Sequence, residues 1–353
     1  MKKILLFFSL AFCVLFTCSC SPNDGDNQEQ TIQSADNSED AAAQYYVYTA
    51  NESDNTVSVI DMETMETIKN IDVWEGPHNV QATPDGKFVY VVENMGKSIT
   101  AIDTAENEMV NSIDVGIGPS HIIFSPDSKL AYVTVAEMLE DDEADEDAMD
   151  KTGEGGNVYV INLADGEIEK KIKVGYMPHG LRMTPDNKYI YVANNGSDNV
   201  SIIDTAVNTV TKTVDVGKKP VQVAPTPDGK YVLVTLSGDN SVAVIDTAAM
   251  KVTKTIPVGK SPIQIYATPD SKFAYVANSD SNNIGVIDIA SMSVVTYIEA
   301  GAKTHGVVIS KDGKRAFVTN TDDNNVMVVD TAINKVIGTI TSGQGPNGIT
   351  MIE

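Results

Sequence analysis

The chain has 353 residues, of which 49 are Asp or Glu and 25 are Lys or Arg, giving a formal net charge of −24. No basic patch interrupts the acidic excess, and without clustered Lys and Arg to neutralise phosphates a nucleic-acid partner is excluded. All three cysteines lie before Ser21, so the remainder of the chain has no disulfide, no thiolate metal site and no cysteine nucleophile.

Met1 to Cys20 carries Lys2 and Lys3, the apolar run ILLFFSLAFCVLF, and then Thr17-Cys18-Ser19-Cys20. The apolar run is too short to span a bilayer and has the layout of a secretory signal. Ending in cysteine, the segment resembles a bacterial lipoprotein signal. That resemblance implies removal of residues 1–19 and lipidation of Cys20, with Cys18 as the other candidate. It also implies a bacterial cell-envelope protein held to the outer membrane by a lipid anchor, on the periplasmic or the outer side. Residues 20–44 are acidic, lack Lys and Arg and have almost no large apolar side chains. Such a segment cannot bury enough surface to offset its chain entropy and is expected to be a flexible tether.

From Tyr45 onward the chain repeats. Asp61, Asp103, Asp204, Asp246, Asp288 and Asp330 each close a β-type run, with Asn162 in the same place of one copy. Neighbouring copies are 42 residues apart, except that the third is lengthened by 17 residues. An aromatic or leucine opens the preceding run in every copy, at Tyr48, Tyr90, Tyr132, Tyr191, Leu233, Tyr275 and Phe317, and the segments read YTAN, YVVE, YVTV, YVAN, LVTL, YVAN and FVTN. This resembles the YVTN family of β-propeller repeats, from Tyr45 to Glu353.

The strand pattern supports the same fold independently. In one copy, YIYVAN, NVSIID, VTKTVDV and VQVAPT are β-branched and aromatic runs bounded by Asn, Asp, Gly and Pro clusters, which predicts four short strands joined by tight turns. A period near 40 with four strands suits a propeller blade. An all-β fold follows, a seven-bladed β-propeller with four antiparallel strands per blade, over residues 45–353. The first copy lacks a first strand, and NGITMI (Asn347 to Ile352) follows the last copy as a first strand with no blade after it. The C-terminal strand is therefore expected to join the N-terminal blade and close the ring.

Chemistry is expected on the face shared by two kinds of loop, outer strand to next inner strand and second strand to third. Directly after the residue that opens each inner strand, the column reads His78, Ser120, His179, Val221, Ile263, His305 and Asn347, with His121 one residue away. A shift of one residue in strand direction would instead present His121 with Asn79, Gln222 and Gln264. Imidazoles converging on a channel mouth suit a transition metal such as Cu or Zn. In outline the column resembles the hub histidines through which some propellers hold copper or haem. The plainer alternative is that these rings cap strand starts and line a wet channel by hydrogen bonding.

The insertion 136–157 is strongly acidic, but it fails the calcium-loop spacing at Met149 and Asp150; it is expected to be a solvated acidic loop. The repeated aspartates, the Pro-Asp-Gly-Lys turns and most of the other polar residues of the loop face, Glu52 among them, are read as turn chemistry. Positions where the blades differ are the places to look for a function: the histidines, Glu93, Leu236, Arg182, Tyr266 and the insertion. No catalytic triad, phosphate loop or dinucleotide fingerprint is present. The first expectation is a non-enzymatic binding or interaction platform, a monomer that takes a protein or small molecule on its loop face and channel mouth. The alternatives are a metal- or cofactor-binding redox accessory protein and a lactonase-like hydrolase.

Overall fold

A computed structural model describes residues 45–137 and 155–353. The signal segment, Cys18, Cys20, the tether and residues 138–154 of the acidic insertion lie outside the described residues. Twenty-eight strands among the described residues form seven four-stranded antiparallel sheets. Closure follows the expected route. Strand β28 (Pro346–Ile352) pairs with β1 (Tyr46–Asn51), which pairs with β2 (Thr56–Asp61) and then β3 (Glu66–Asp72). Tyr46 faces Ile352 and Thr49 faces Ile349 across the junction.

The burial of each strand depends on its distance from the ring axis. Second and third strands of a blade are buried on both faces, as in β1 and β2, whereas the outermost strand exposes most residues, as in ETIKNID of β3. The core is divided among the spaces between neighbouring sheets. Val200, Ile202 and Val214 of one sheet, for example, pack with Val223, Val232 and Val234 of the next. Apolar burial of this kind is the main favourable contribution to folding. No single sheet completes a core alone.

The repeated polar residues are structural, as expected. Asp61 Oδ1 accepts hydrogen bonds from the N–H groups of Glu63 and Thr64 at 2.8 and 2.9 Å, and Asn162 accepts from Ala164 in the third blade. The tyrosine that opens a second-strand segment reaches into the next blade: Tyr48 Oη donates to Asn107, and Tyr275 Oη to Asn334, each at 2.6 Å.

Six inner strands complete the wall of the channel: β4 (Pro77–Ala82), β8 (Pro119–Phe124), β12 (Pro178–Met183), β16 (Pro220–Pro225), β20 (Pro262–Ala267) and β24 (Thr304–Ile309). Each starts with a β-bulge. Pro77 faces Glu93 while Asn79 faces Val92, and the same slip recurs between Pro119 and Ile122, Pro178 and Leu181, Pro220 and Val223, Pro262 and Ile265, and Thr304 and Val307. A bulge adds one residue to its strand and re-aims side chains. Strict alternation therefore fails at the two residues after each opening position.

The threonine of the repeat braces this irregularity. Thr134 Oγ1 accepts the N–H of His121 at 3.0 Å and donates to the carbonyl of His179, in the next blade, at 2.8 Å. Thr235 does the same between Gln222 and Ile263, and Thr319 between Gly306 and Asn347. One hydroxyl thus satisfies a backbone donor displaced by the bulge and ties two blades together.

Candidate metal centre

The bulges bring together residues that strict alternation would separate. His78, His179 and His305 occupy the first position after the strand opening, and His121 the second, yet all four rings meet at one mouth of the channel. Ring centroids lie 4.4 Å apart for His121 and His179, 5.5 Å for His78 and His179, 5.6 Å for His78 and His121, and 6.4 Å for His78 and His305. The ligand atoms of His78, His121 and His179 all lie within 4.8 Å of one another. These three are the residues that could hold a metal, with His305 beside them.

The ring hydrogen bonds bear on which nitrogens are available. His179 Nδ1 donates to the carbonyl of Val221 at 3.1 Å, which leaves Nε2 with a free lone pair. His121, only 2 % exposed, has its Nδ1 3.0 Å from Ser120 Oγ. His305 Nδ1 is buried without a hydrogen-bond partner among the described residues.

Burial, reinforced by the neighbouring imidazoles, pushes His179 and His305 down to about 3 and holds His121 well below the ordinary histidine range. These three rings are neutral at pH 7, the form that binds metals.

The sequence reading took Glu52 for a turn residue. It instead lies at the edge of the site, 3.8 Å from His78 Nδ1, and its carboxylate is pulled down to about 2, first by the neighbouring His78 imidazole. Asn347 joins them, its amide 2.5 Å from Glu52 Oε2 and 3.1 Å from His78 Nδ1. Carboxylate and amide therefore orient His78 from behind. A signal for Glu52 existed in the sequence: the other blades have Asn94, Ala136, Asn195, Ser237, Ser279 and Thr321 in its place, and it alone is ionisable.

His78, His179 and His305 line a cavity of about 500 Å³ with Met95 and Met177. Met177 has φ 47°, one residue before the strand opening, where Gly76, Gly118 and Gly345 stand in other blades with φ of 67°, 76° and 68°. Glu93, another position where blades differ, belongs elsewhere. It is fully buried and accepts from Ser98, Thr100 and the Trp74 N–H, replacing the asparagine that occupies this place in four blades.

A seven-bladed ring of YVTN-type repeats with imidazoles gathered at one mouth defines the class of protein. The chain belongs to the YNCE-like beta-propeller family, whose description matches residues 27–353. No curated protein matches the sequence.

Several solved structures share the fold. A Kuenenia stuttgartiensis hydrazine synthase chain is 24 % identical with a TM-score of 0.69, covering 81 % of this chain and 92 % of that one. A functionally unknown protein from Desulfotomaculum acetoxidans is 15 % identical with a TM-score of 0.72, covering 87 % and 99 %. The dihydro-heme d1 dehydrogenase NirN, in complex with DHE, is 14 % identical with a TM-score of 0.62, covering 86 % and 74 %. At these identities the likeness is one of fold.

Proposed function

We propose that the protein is a non-enzymatic, cell-envelope binding protein whose channel mouth takes one transition-metal ion through His78, His121 and His179. The observation that carries this reading is the grouping of three ring nitrogens within 4.8 Å, on rings of which His78 packs edge to face on the other two, and two of which burial keeps neutral. Rings that merely capped strand starts would have no reason to converge. Copper is favoured over zinc, because two thioethers, Met95 and Met177, share the cavity with the imidazoles, and soft sulfur ligands select copper. His305 is the fourth nitrogen available as the ion changes coordination.

The loop face around this mouth is the surface offered to a protein or small-molecule partner, and the protein acts as a monomer anchored through Cys20. A redox accessory role is the natural extension of a copper site. The lactonase-like alternative gains less support, since one carboxylate, Glu52, flanks the histidines where that chemistry calls for a ring of them.

Metal analysis of tag-free protein, loaded with Cu or Zn and desalted, tests the proposal. About one equivalent of copper is expected to remain, and to disappear in the His121→Ala, His179→Ala double variant. Absence of stoichiometric metal in the wild type would refute it. Cys20→Ser is expected to release the protein from the membrane fraction; retention there would refute the anchor.

A further inference from the structure

Three residues further along the inner strands, the lumen presents another unexplained group. Arg182, one of two arginines in the chain, lies in β12 between two cavities of about 280 and 300 Å³ that share its side chain. It occupies a layer with Gln81, Ile123, Ala224, Tyr266 and Thr350, and no Asp or Glu lines either cavity. Among the described residues its one hydrogen bond is to the adjacent carbonyl, from Nη1 to Leu181 O at 3.1 Å. Its other donors are left to the solvent of the lumen or to a ligand there.

Arg182 is half-buried in the lumen with no counter-charge lining either cavity, a costly setting for a guanidinium, and desolvation lowers its basicity. Val308 and Ile123 show that the layer accepts apolar residues. Small Ala224, between Arg182 and Tyr266 in blade order, leaves a recess walled by Met183, Pro185 and Pro227.

We propose that this recess is a binding site for a small organic monocarboxylate, its carboxylate held by Arg182 and its apolar body seated over Ala224 against Tyr266 and the prolines. A planar guanidinium matches a carboxylate through two parallel hydrogen bonds, and apolar walls with a single charged group are the usual build of a small-molecule pocket. The site lies three residues along the inner strands from the histidine centre, near enough for the Arg182 charge to help lower the basicity of His121.

The test is calorimetric titration of the full folded chain with benzoate, and with inorganic phosphate as comparator, in wild type, Arg182→Met and Arg182→Lys. Benzoate is expected to bind saturably at one site, more tightly than phosphate. Affinity is expected to fall by roughly tenfold or more in Arg182→Met and less in Arg182→Lys. Without ligand, Arg182→Met is expected to melt at or above the wild-type temperature, since an uncompensated charge has gone. No saturable benzoate binding, or binding unchanged in Arg182→Met, would overturn the proposal. So would an Arg182→Met protein that fails to fold or melts several degrees lower, because Arg182 would then be structural. Phosphate binding as tight as benzoate would overturn the assignment of an apolar ligand body.

Discussion

Thr134 shows how much of the site depends on residues that touch no ligand. Its hydroxyl fixes the backbone at both His121 and His179, so removing it loosens two ligands at once. Thr134→Val is expected to lower copper affinity by roughly 10–100-fold, as loss of a supporting contact commonly does, while Thr134→Ser keeps it; competition titration against a chelator measures both. A second prediction concerns acid. His179 and His305 go from 6.5 to about 3 on folding, and His121 is lowered too, so below pH 6.5 the unfolded chain binds protons that the native state refuses. Stability contributed by these rings is complete above pH 6.5 and is lost as pH falls from there toward 3. The melting temperature of metal-free protein should decline over that range, and His179→Gln should flatten the decline; an equal decline in the variant would contradict the burial argument. The histidine column was legible in the sequence because one repeat slot collected three of the four histidines. His121 joined the candidates from one residue off that slot, with no register that brought it to the same mouth, because a bulge leaves no mark in a run such as PSHIIF. Glu52 was lost among turn residues because Asp and Asn crowd the same loops for backbone reasons.

At the level of single strands, β28 is the element on which the ring depends. It pairs with β1 and packs between the inner strands β24 and β4, so its removal opens two blade interfaces and exposes a sheet edge. Deleting residues 346–353 is expected to abolish cooperative unfolding or lower the melting temperature far more than an ordinary terminal trim does. An unchanged melting curve would show that closure contributes little. This strand was readable in advance because the first copy of the repeat lacks the strand that the last supplies. Contacts between blades were not readable, since a period reports what each copy contains and nothing about its neighbour. The tyrosine hydroxyls are an example: Tyr275→Phe, which deletes the hydrogen bond to Asn334 in the next blade, should cost about 1 kcal/mol by chemical denaturation.

The whole molecule is a ring of sheets in which strictly repeated residues maintain the fold and departures from the repeat gather along the axis. Turn-capping aspartates and bracing threonines recur from blade to blade. By contrast His78, His121, His179, Glu52 and Arg182 each break their column, and each faces the mouth or the lumen. Seven-fold architecture was legible at this scale because seven copies at a fixed period admit few other folds. The centre was legible only in part, because it exists through side chains from several blades and no single copy contains it.

The central claim is that His78, His121 and His179 act together on one ion. Electron paramagnetic resonance of tag-free protein loaded with one equivalent of Cu(II) tests this most directly. Hyperfine coupling to imidazole nitrogens from three histidines is expected, reduced by one in each of the His78→Ala, His121→Ala and His179→Ala variants. A spectrum of aqueous or heterogeneously bound copper, unaltered by these substitutions, would contradict it.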